Sequence, residues 1–67
     1  MVKMKNTRTL INSYNITNVP NWVKNYLDGK RDINKNISMY LEEYLGLPNG
    51  TIWIYEMEYQ KWINEII

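Results

Sequence analysis

The acidic side chains have the strongest claim to catalytic chemistry, because paired carboxylates can perform general acid–base catalysis. Two such pairs occur, Glu42 with Glu43 and Glu56 with Glu58. Side chains one or two positions apart on a helix do not face each other, so neither pair builds an acid–base site. The chain has no His and no Cys, which removes the commonest base near neutral pH and the thiolate nucleophile. The sequence therefore predicts a protein that is not an enzyme.

The lack of His and Cys also bears on metals and cofactors. Structural zinc and haem iron are held mainly by His and Cys, and the sequence has no glycine-rich phosphate-binding loop. We therefore expect no metal ion and no cofactor. Disulfides are excluded too, so a chain of 67 residues must depend on aromatic packing, self-association or both for its stability. Three Trp and six Tyr residues supply large side chains for that packing.

The charged side chains are distributed unevenly along the chain. Residues 1–31 contain six Lys or Arg and one Asp, a balance of +5, whereas residues 42–67 contain five Glu and one Lys, a balance of −4. The net charge is only +1, which is low for a protein that neutralises phosphates. The basic half suits a one-sided contact with DNA. The alternative is that both halves are ordinary solvated surface.

Residues that start and stop helices divide the chain into four predicted helices within one domain, with residues 1–5 flexible. The first begins at Asn6 or Thr7 and ends near Asn15, and the second begins at Thr17 or Asn18 and runs to Leu27. The third lies between Asn34 and Gly46. Apolar residues at helical spacing form the predicted buried faces of these three helices: Leu10, Ile11 and Tyr14; Trp22, Val23, Tyr26 and Leu27; Ile37, Tyr40, Leu41, Tyr44 and Leu45.

The last segment permits two predictions. Residues 51–55 have high β-propensity and could form a strand. However, no second β-rich segment is present to pair with it, and six apolar residues share one helical stripe: Ile52, Tyr55, Tyr59, Trp62, Ile63 and Ile66. We therefore favour a long C-terminal helix after the turn at Pro48-Asn49-Gly50, and an all-α fold of four helices.

Two short motifs resemble the back half of the Cro/repressor-type (Xre) helix-turn-helix family. Leu27-Asp28-Gly29-Lys30-Arg31 is similar to the turn that follows the recognition helix, and Leu41-Glu42-Glu43-Tyr44-Leu45-Gly46 is similar to the end of a later helix. Tyr59 and Trp62 match positions in the tail of HigA-type antitoxins, with Trp53 near a third position. The resemblance implies a compact helix-turn-helix-like domain that lacks the family's first helix, in a regulator of phage or toxin–antitoxin type.

The resemblance also implies roles in binding double-stranded DNA. The second helix, residues 18–27, would enter the major groove and present Asn18, Asn21, Lys24 and Asn25 to the bases. Arg8, Lys30 and Arg31 would contact phosphates, with Lys5 near the backbone. The bland alternative is that these side chains form a solvated face, because Asn is frequent throughout the chain.

The aromatic C-terminal segment suggests a second functional hypothesis. Trp22, Trp53 and Trp62 are expected in the core or an interface, since stacking platforms for single strands need a basic groove. A helix that is apolar on more than one side favours a homodimer or a protein target, through Trp53, Tyr55, Met57, Tyr59, Trp62 and Ile66. A small protein-binding module or phage-type inhibitor is thus the alternative to a DNA-binding regulator.

The sequence also bears on location. The N-terminal residues include no apolar run of signal-peptide length, and no segment approaches the length of a membrane-spanning helix. We expect a cytoplasmic protein that does not contact membranes.

Overall fold

Helical segments account for all the regular structure in residues 3–66, the range described by the computed structural model. Four helices and no strand occur there: α1 (Thr7–Asn12), α2 (Asn21–Leu27), α3 (Lys35–Leu45) and α4 (Thr51–Ile66). The predicted all-α class is therefore confirmed, and so is the helix chosen over a strand at residues 51–55. The core lies where the four helices meet, and each helix contributes to it: Ile11, Val23, Tyr26, Ile37, Leu41 and Ile52.

Asparagine and glycine residues set several of the helix ends as predicted. The Asn6 side chain accepts a hydrogen bond from the Arg8 N–H at 2.8 Å, and the Asn34 side chain accepts one from the Ile37 N–H at 2.8 Å. Each bond satisfies an N–H that has no partner within its helix. Gly46 ends α3 with φ +72°, a left-handed conformation that costs glycine little.

The boundaries around the first connection differ from the prediction. Helix α2 begins at Asn21 with Pro20 before it, not at Thr17 or Asn18. Asn18 has φ +58°, so it lies in the left-handed region and cannot belong to a right-handed helix. Asn15 is also left-handed, at φ +54°, and α1 ends before it at Asn12. Asparagine tolerates the left-handed conformation better than most residues, and at these two positions that conformation interrupts the helical spacing.

The connection between α3 and α4 depends on the buried carboxylate of Glu42, which is 2% exposed. One of its oxygens accepts the Gly50 N–H at 2.8 Å, and the other accepts the N–H groups of Ile52 at 2.8 Å and Trp53 at 3.3 Å. A carboxylate at the N-terminus of a helix satisfies unpaired donors and interacts favourably with the helix dipole. Glu42 therefore caps the start of α4 from the preceding helix.

The same residue also shapes the end of α3. The Leu47 N–H donates to the Glu42 carbonyl at 2.8 Å, and the Gly46 N–H donates to the Glu43 carbonyl at 3.2 Å. This pair of bonds is a Schellman motif, and Leu47 packs against the core as the motif requires. Backbone and side chain of Glu42 thus bind the two ends of the connection at residues 46–50.

Three aromatic residues placed in predicted buried faces are exposed. Tyr14 is 51% exposed because it lies beyond the end of α1 and no longer follows its spacing. Trp22 is 40% exposed on the flank of α2, because Val23 and Tyr26 occupy the centre of the buried face. Tyr44 is 41% exposed at the edge of the α3 face that carries Leu41, where its hydroxyl reaches Thr17 of the first connection. A core this small covers only the middle of each helix face.

The N-terminal segment was predicted to be flexible over residues 1–5, of which residues 1 and 2 lie outside the described range. In the described part of this segment, the Lys5 carbonyl accepts a hydrogen bond from the Tyr55 hydroxyl at 2.7 Å. Lys5 is therefore anchored to α4, and its backbone is not free.

Replacing Glu42 tests its part in the fold. Glu42→Ala leaves three N–H groups at the start of α4 without a partner, one of them on buried Ile52, and should lower the free energy of unfolding by about 2 kcal/mol. Urea denaturation followed by circular dichroism measures the free energy of unfolding. Glu43→Ala removes an exposed carboxylate from the next position and should change it by less than about 0.5 kcal/mol. Equal effects of the two substitutions would contradict the assignment.

Candidate nucleic-acid interface

The outer stripe of α2 carries two of the four predicted base-contact residues. Asn21 and Asn25 are one helical turn apart and exposed, while Val23 and Tyr26 on the opposite side are buried. This spacing leaves both amide groups on one face of the helix. An asparagine amide can donate and accept at once, which is the pattern that adenine presents in the major groove.

Asn18 and Lys24 lie to one side of that stripe. Asn18 precedes α2 by three positions, so its predicted place on the helix is wrong. Both residues nevertheless line the same depression of about 360 Å³, whose floor includes Ile16 and Leu27. The structure therefore brings Asn18 close to the flank of α2 from the preceding connection.

That connection spans residues 13–20, eight residues between α1 and α2. A DNA-binding helix-turn-helix usually has a turn of three or four residues, so this connection is longer than the resemblance implies. It is held in place by Tyr44 of α3, whose hydroxyl donates to the Thr17 carbonyl and accepts from the Thr17 N–H at 3.2 Å. Sequence reasoning placed Tyr44 in the core and missed this contact, because nothing in the spacing links residues 27 positions apart.

Arg8 was predicted to contact phosphate, but its guanidinium group serves the fold. Its Nε donates to the Tyr26 carbonyl at 2.6 Å, and its Nη2 donates to the Arg31 carbonyl at 3.1 Å. The guanidinium also lies over the Tyr26 ring, 5.0 Å from the centroid. Asn12 adds a bond to the Leu27 carbonyl at 3.4 Å. Side chains of α1 thus satisfy the last carbonyls of α2, as a cationic cap does at a helix C-terminus.

The loop after α2 presents the remaining predicted phosphate contacts. Gly29 turns the chain with φ +83°, its N–H bonded to the Tyr26 carbonyl at 3.0 Å, and the Lys30 N–H bonds to the Asn25 carbonyl at 2.7 Å. Lys30 and Arg31 are both exposed just beyond this turn. Arg8 therefore binds the backbone of the loop that carries the two basic side chains.

Acidic side chains adjoin the same surface. Asp28 follows Asn21 and Asn25 at helical spacing and is exposed, as is Asp32 in the loop. Their negative charges offset part of the positive electrostatic potential of Lys24, Lys30 and Arg31. The surface is therefore basic only locally, which matches the low net charge of the chain.

The six predicted interface residues of α4 do not form one exposed surface. Tyr55, Tyr59 and Trp62 are half-buried, and Tyr59 and Trp62 pack with ring centroids 5.9 Å apart. Trp53 is half-buried on another side of the helix, where it and exposed Met57 line a depression together with Arg8 and Tyr26. Ile66 is exposed near the C-terminus. The structure therefore divides the set between two faces.

Comparison with known proteins adds no relative. No protein-family model matches the chain, and neither the curated proteins nor the solved structures include a match. Within residues 3–66, no cluster of acidic side chains is suited to hold a metal ion. None of the helices in that range combines the length and apolar character needed to cross a membrane.

Removing the Arg8 cap should destabilise the protein. Arg8→Met keeps the aliphatic part of the side chain but loses both bonds to carbonyl groups, and the free energy of unfolding should fall by about 1–3 kcal/mol. Arg31→Met alters an exposed side chain and should change it by less than about 0.5 kcal/mol. Chemical denaturation of both variants gives the comparison. A larger loss for Arg31→Met would contradict the assigned role of Arg8.

Tyr26 provides a test at alkaline pH. Burial raises the pKa of Tyr26 to about 12, with the Arg8 guanidinium opposing the rise and the Glu56 carboxylate adding to it. The unfolded chain releases this proton near pH 10, so the folded state binds more protons between pH 10 and 12 and loses stability as the pH rises through that window. Tyr26→Phe should show a smaller loss there. Parallel stability curves for the two proteins above pH 10 would contradict the raised pKa.

Proposed function

We propose that the protein binds double-stranded DNA through the outer stripe of α2 and the loop at residues 28–31. The observation that carries the proposal is the arrangement of this surface. The exposed amides of Asn21 and Asn25 lie along one face of α2, and the exposed cations Lys30 and Arg31 follow its C-terminal end, where the Lys30 N–H binds the Asn25 carbonyl and Arg8 binds the Arg31 carbonyl. Amide groups that read base edges, beside cations that contact phosphates, are the two components of sequence-specific DNA recognition.

The dimensions of α2 are compatible with this role. An α-helix with its side chains is about 10–12 Å in diameter, which fits the major groove, about 12 Å wide. In the proposed complex, Asn21 and Asn25 face the bases, Lys24 reaches a base edge or a phosphate, and Lys30 and Arg31 bind the backbone. Asn18 approaches from the preceding connection.

The resemblance to the Cro/repressor-type family supports the same assignment. The turn at residues 27–31 follows α2, the proposed recognition helix, and the Leu-Gly segment at residues 45–46 ends α3, as in the family's order. A regulator of transcription, of phage or toxin–antitoxin type, is therefore the biological role that we propose. A cytoplasmic location follows from that role.

DNA binding can be measured by fluorescence anisotropy of a labelled mixed-sequence duplex at low and moderate salt. We expect non-specific binding with a Kd on the order of 10⁻⁴–10⁻⁶ M that weakens steeply as salt rises. Lys30→Ala with Arg31→Ala removes two phosphate contacts, so the slope of log K against log salt should decrease in magnitude by about 1.8. Absence of binding at low salt would overturn the proposal.

Lys61→Ala is the matched control for this experiment. Lys61 is an exposed cation on α4, remote in sequence from the proposed contacts, and its loss should leave the salt slope unchanged. Asp28→Asn removes an acidic group from the stripe that faces the duplex and should tighten binding several-fold. If Lys61→Ala reduces the slope as much as a loop substitution does, the binding surface lies elsewhere.

The alternative is a protein-binding module that acts through α4 as a homodimer or on a protein target. Exposed Met57 and Ile66 favour it, together with Ile54 at 58% exposure. The half-burial of the four aromatic residues Trp53, Tyr55, Tyr59 and Trp62 counts against it, because less of their surface is open to a partner. Sedimentation equilibrium at high micromolar concentration tests the homodimer, since a monomer excludes it and leaves both DNA binding and binding of a protein target open.

A further inference from the structure

Three aromatic rings form a continuous row on the side of α2 and α3, which we call the aromatic ladder: Trp22, Tyr40 and Tyr44. The Trp22 and Tyr40 rings meet edge to face with centroids 5.4 Å apart, and the Tyr40 and Tyr44 rings stack at 6.4 Å with planes inclined by 24°. Edge-to-face and offset stacked pairs are the favoured arrangements of aromatic side chains. The row therefore has a defined geometry although it lies at the surface.

The ladder is fixed in place rather than flexible. The Tyr44 hydroxyl is bonded to both backbone groups of Thr17, and Tyr40 is half-buried against the core. The outer rings nevertheless remain open, with Trp22 40% and Tyr44 41% exposed, beside Met39 at 50%. Pre-ordered aromatic groups lose little conformational freedom on binding, which is why Trp and Tyr dominate the energetics of protein interfaces.

A carboxylate lies beside the aromatic ladder. A groove of about 690 Å³ runs along α3 and is lined by Trp22, Tyr40 and Glu43 among others, with Asn36 and Asn49 as further polar groups. A second depression of about 280 Å³ is lined by Tyr40, Glu43 and Tyr44. Glu43 is exposed and borders both. Unlike neighbouring Glu42, its side chain is not used to cap α4.

We propose that the aromatic ladder and Glu43 bind a segment of a partner protein that carries an arginine among apolar residues. A guanidinium group stacks on aromatic faces and is attracted by their negative potential. The Glu43 carboxylate complements its charge and matches its fork of donors. Apolar neighbours of the arginine pack along the groove against Trp22 and Met39.

Charge complementarity selects this occupant over others. Glu43 repels phosphates, whereas aromatic platforms that bind single-stranded nucleic acid lie within basic grooves. Trp22, the ladder residue on α2, adjoins Asn21 in sequence and lies on the flank of the helix, about 80° from the centre of the stripe proposed to face DNA. The two surfaces therefore adjoin, and the peptide test is made without DNA so that its outcome does not depend on the proposed function.

The test uses a fluorescently labelled peptide of alternating arginine and leucine, together with the same peptide carrying citrulline, the neutral isostere of arginine. Fluorescence anisotropy should show binding of the arginine peptide, and markedly weaker binding of the citrulline peptide. Trp22→Ala should weaken binding of the arginine peptide about tenfold, and Glu43→Gln about threefold. Glu58→Gln, an exposed glutamate on α4, is the matched control and should have no effect.

Circular dichroism verifies that each variant is folded. If Trp22→Ala does not fold, Glu43→Gln still tests the proposal. Equal binding of the arginine and citrulline peptides would overturn the cation site. Equal losses of peptide affinity for Glu43→Gln and Glu58→Gln would mean that the effect is general electrostatics, and would also overturn the cation site. Preferential binding of labelled oligo-deoxythymidine, lost in Trp22→Ala, would reassign the ladder to nucleic acid. Concentration-dependent self-association abolished by Trp22→Ala would reassign it to a second copy of the chain.

Discussion

The carboxylate of Glu42 is the interaction on which the arrangement of the helices depends. It is a buried charge, which is costly unless hydrogen bonds replace its hydration. Here three N–H groups at the start of α4 do so, and Thr51 completes the set through the Pro48 carbonyl. The charge in turn stabilises the positive end of the longest helix. Without it, α4 would begin with unsatisfied donors next to the core, and the direction of α4 would not be defined.

Tertiary hydrogen bonds from side chains to the backbone compensate for the small core. Six of the residues within the range 3–66 form that core, and chains of this size bury a limited fraction of their surface. Arg8, Tyr44 and Tyr55 each bind a carbonyl group in another segment, on α2 and its following loop, the first connection and the N-terminal segment respectively. These contacts fix irregular segments that apolar packing alone would leave free. The surface proposed for DNA owes its fixed loop to one of them.

Sequence reasoning predicted the parts of the fold that local chemistry decides. The caps at Asn6, Asn34 and Gly46 and the helical character of residues 51–66 follow from short-range rules, and the structure has them. The predicted start of α2 was wrong because Asn18 takes a left-handed conformation, which a right-handed helix cannot include. Periodicity also cannot tell the centre of a buried face from its flank, and Trp22 lies on the flank.

In the candidate site, too, the features that depend on local sequence were predicted and those that depend on tertiary contacts were not. Asn21, Asn25, Lys30 and Arg31 are exposed as expected, because exposure follows from their place in the helical pattern and in a polar loop. The role of Arg8 could not be foreseen, since its partners are 18 and 23 positions away. The aromatic ladder was missed for the same reason, because Trp22 and Tyr40 come together only through the packing of α2 on α3.

The short reach of the Glu42 contacts has a consequence for the order of folding. Its side chain joins groups only 8 to 11 positions apart, whereas the bonds of Arg8 span 18 and 23 positions and that of Tyr55 spans 50. Closing a short loop costs less chain entropy than closing a long one. We therefore expect the hairpin of α3 and α4 to form early in folding, and the N-terminal half, although synthesised first, to dock onto it.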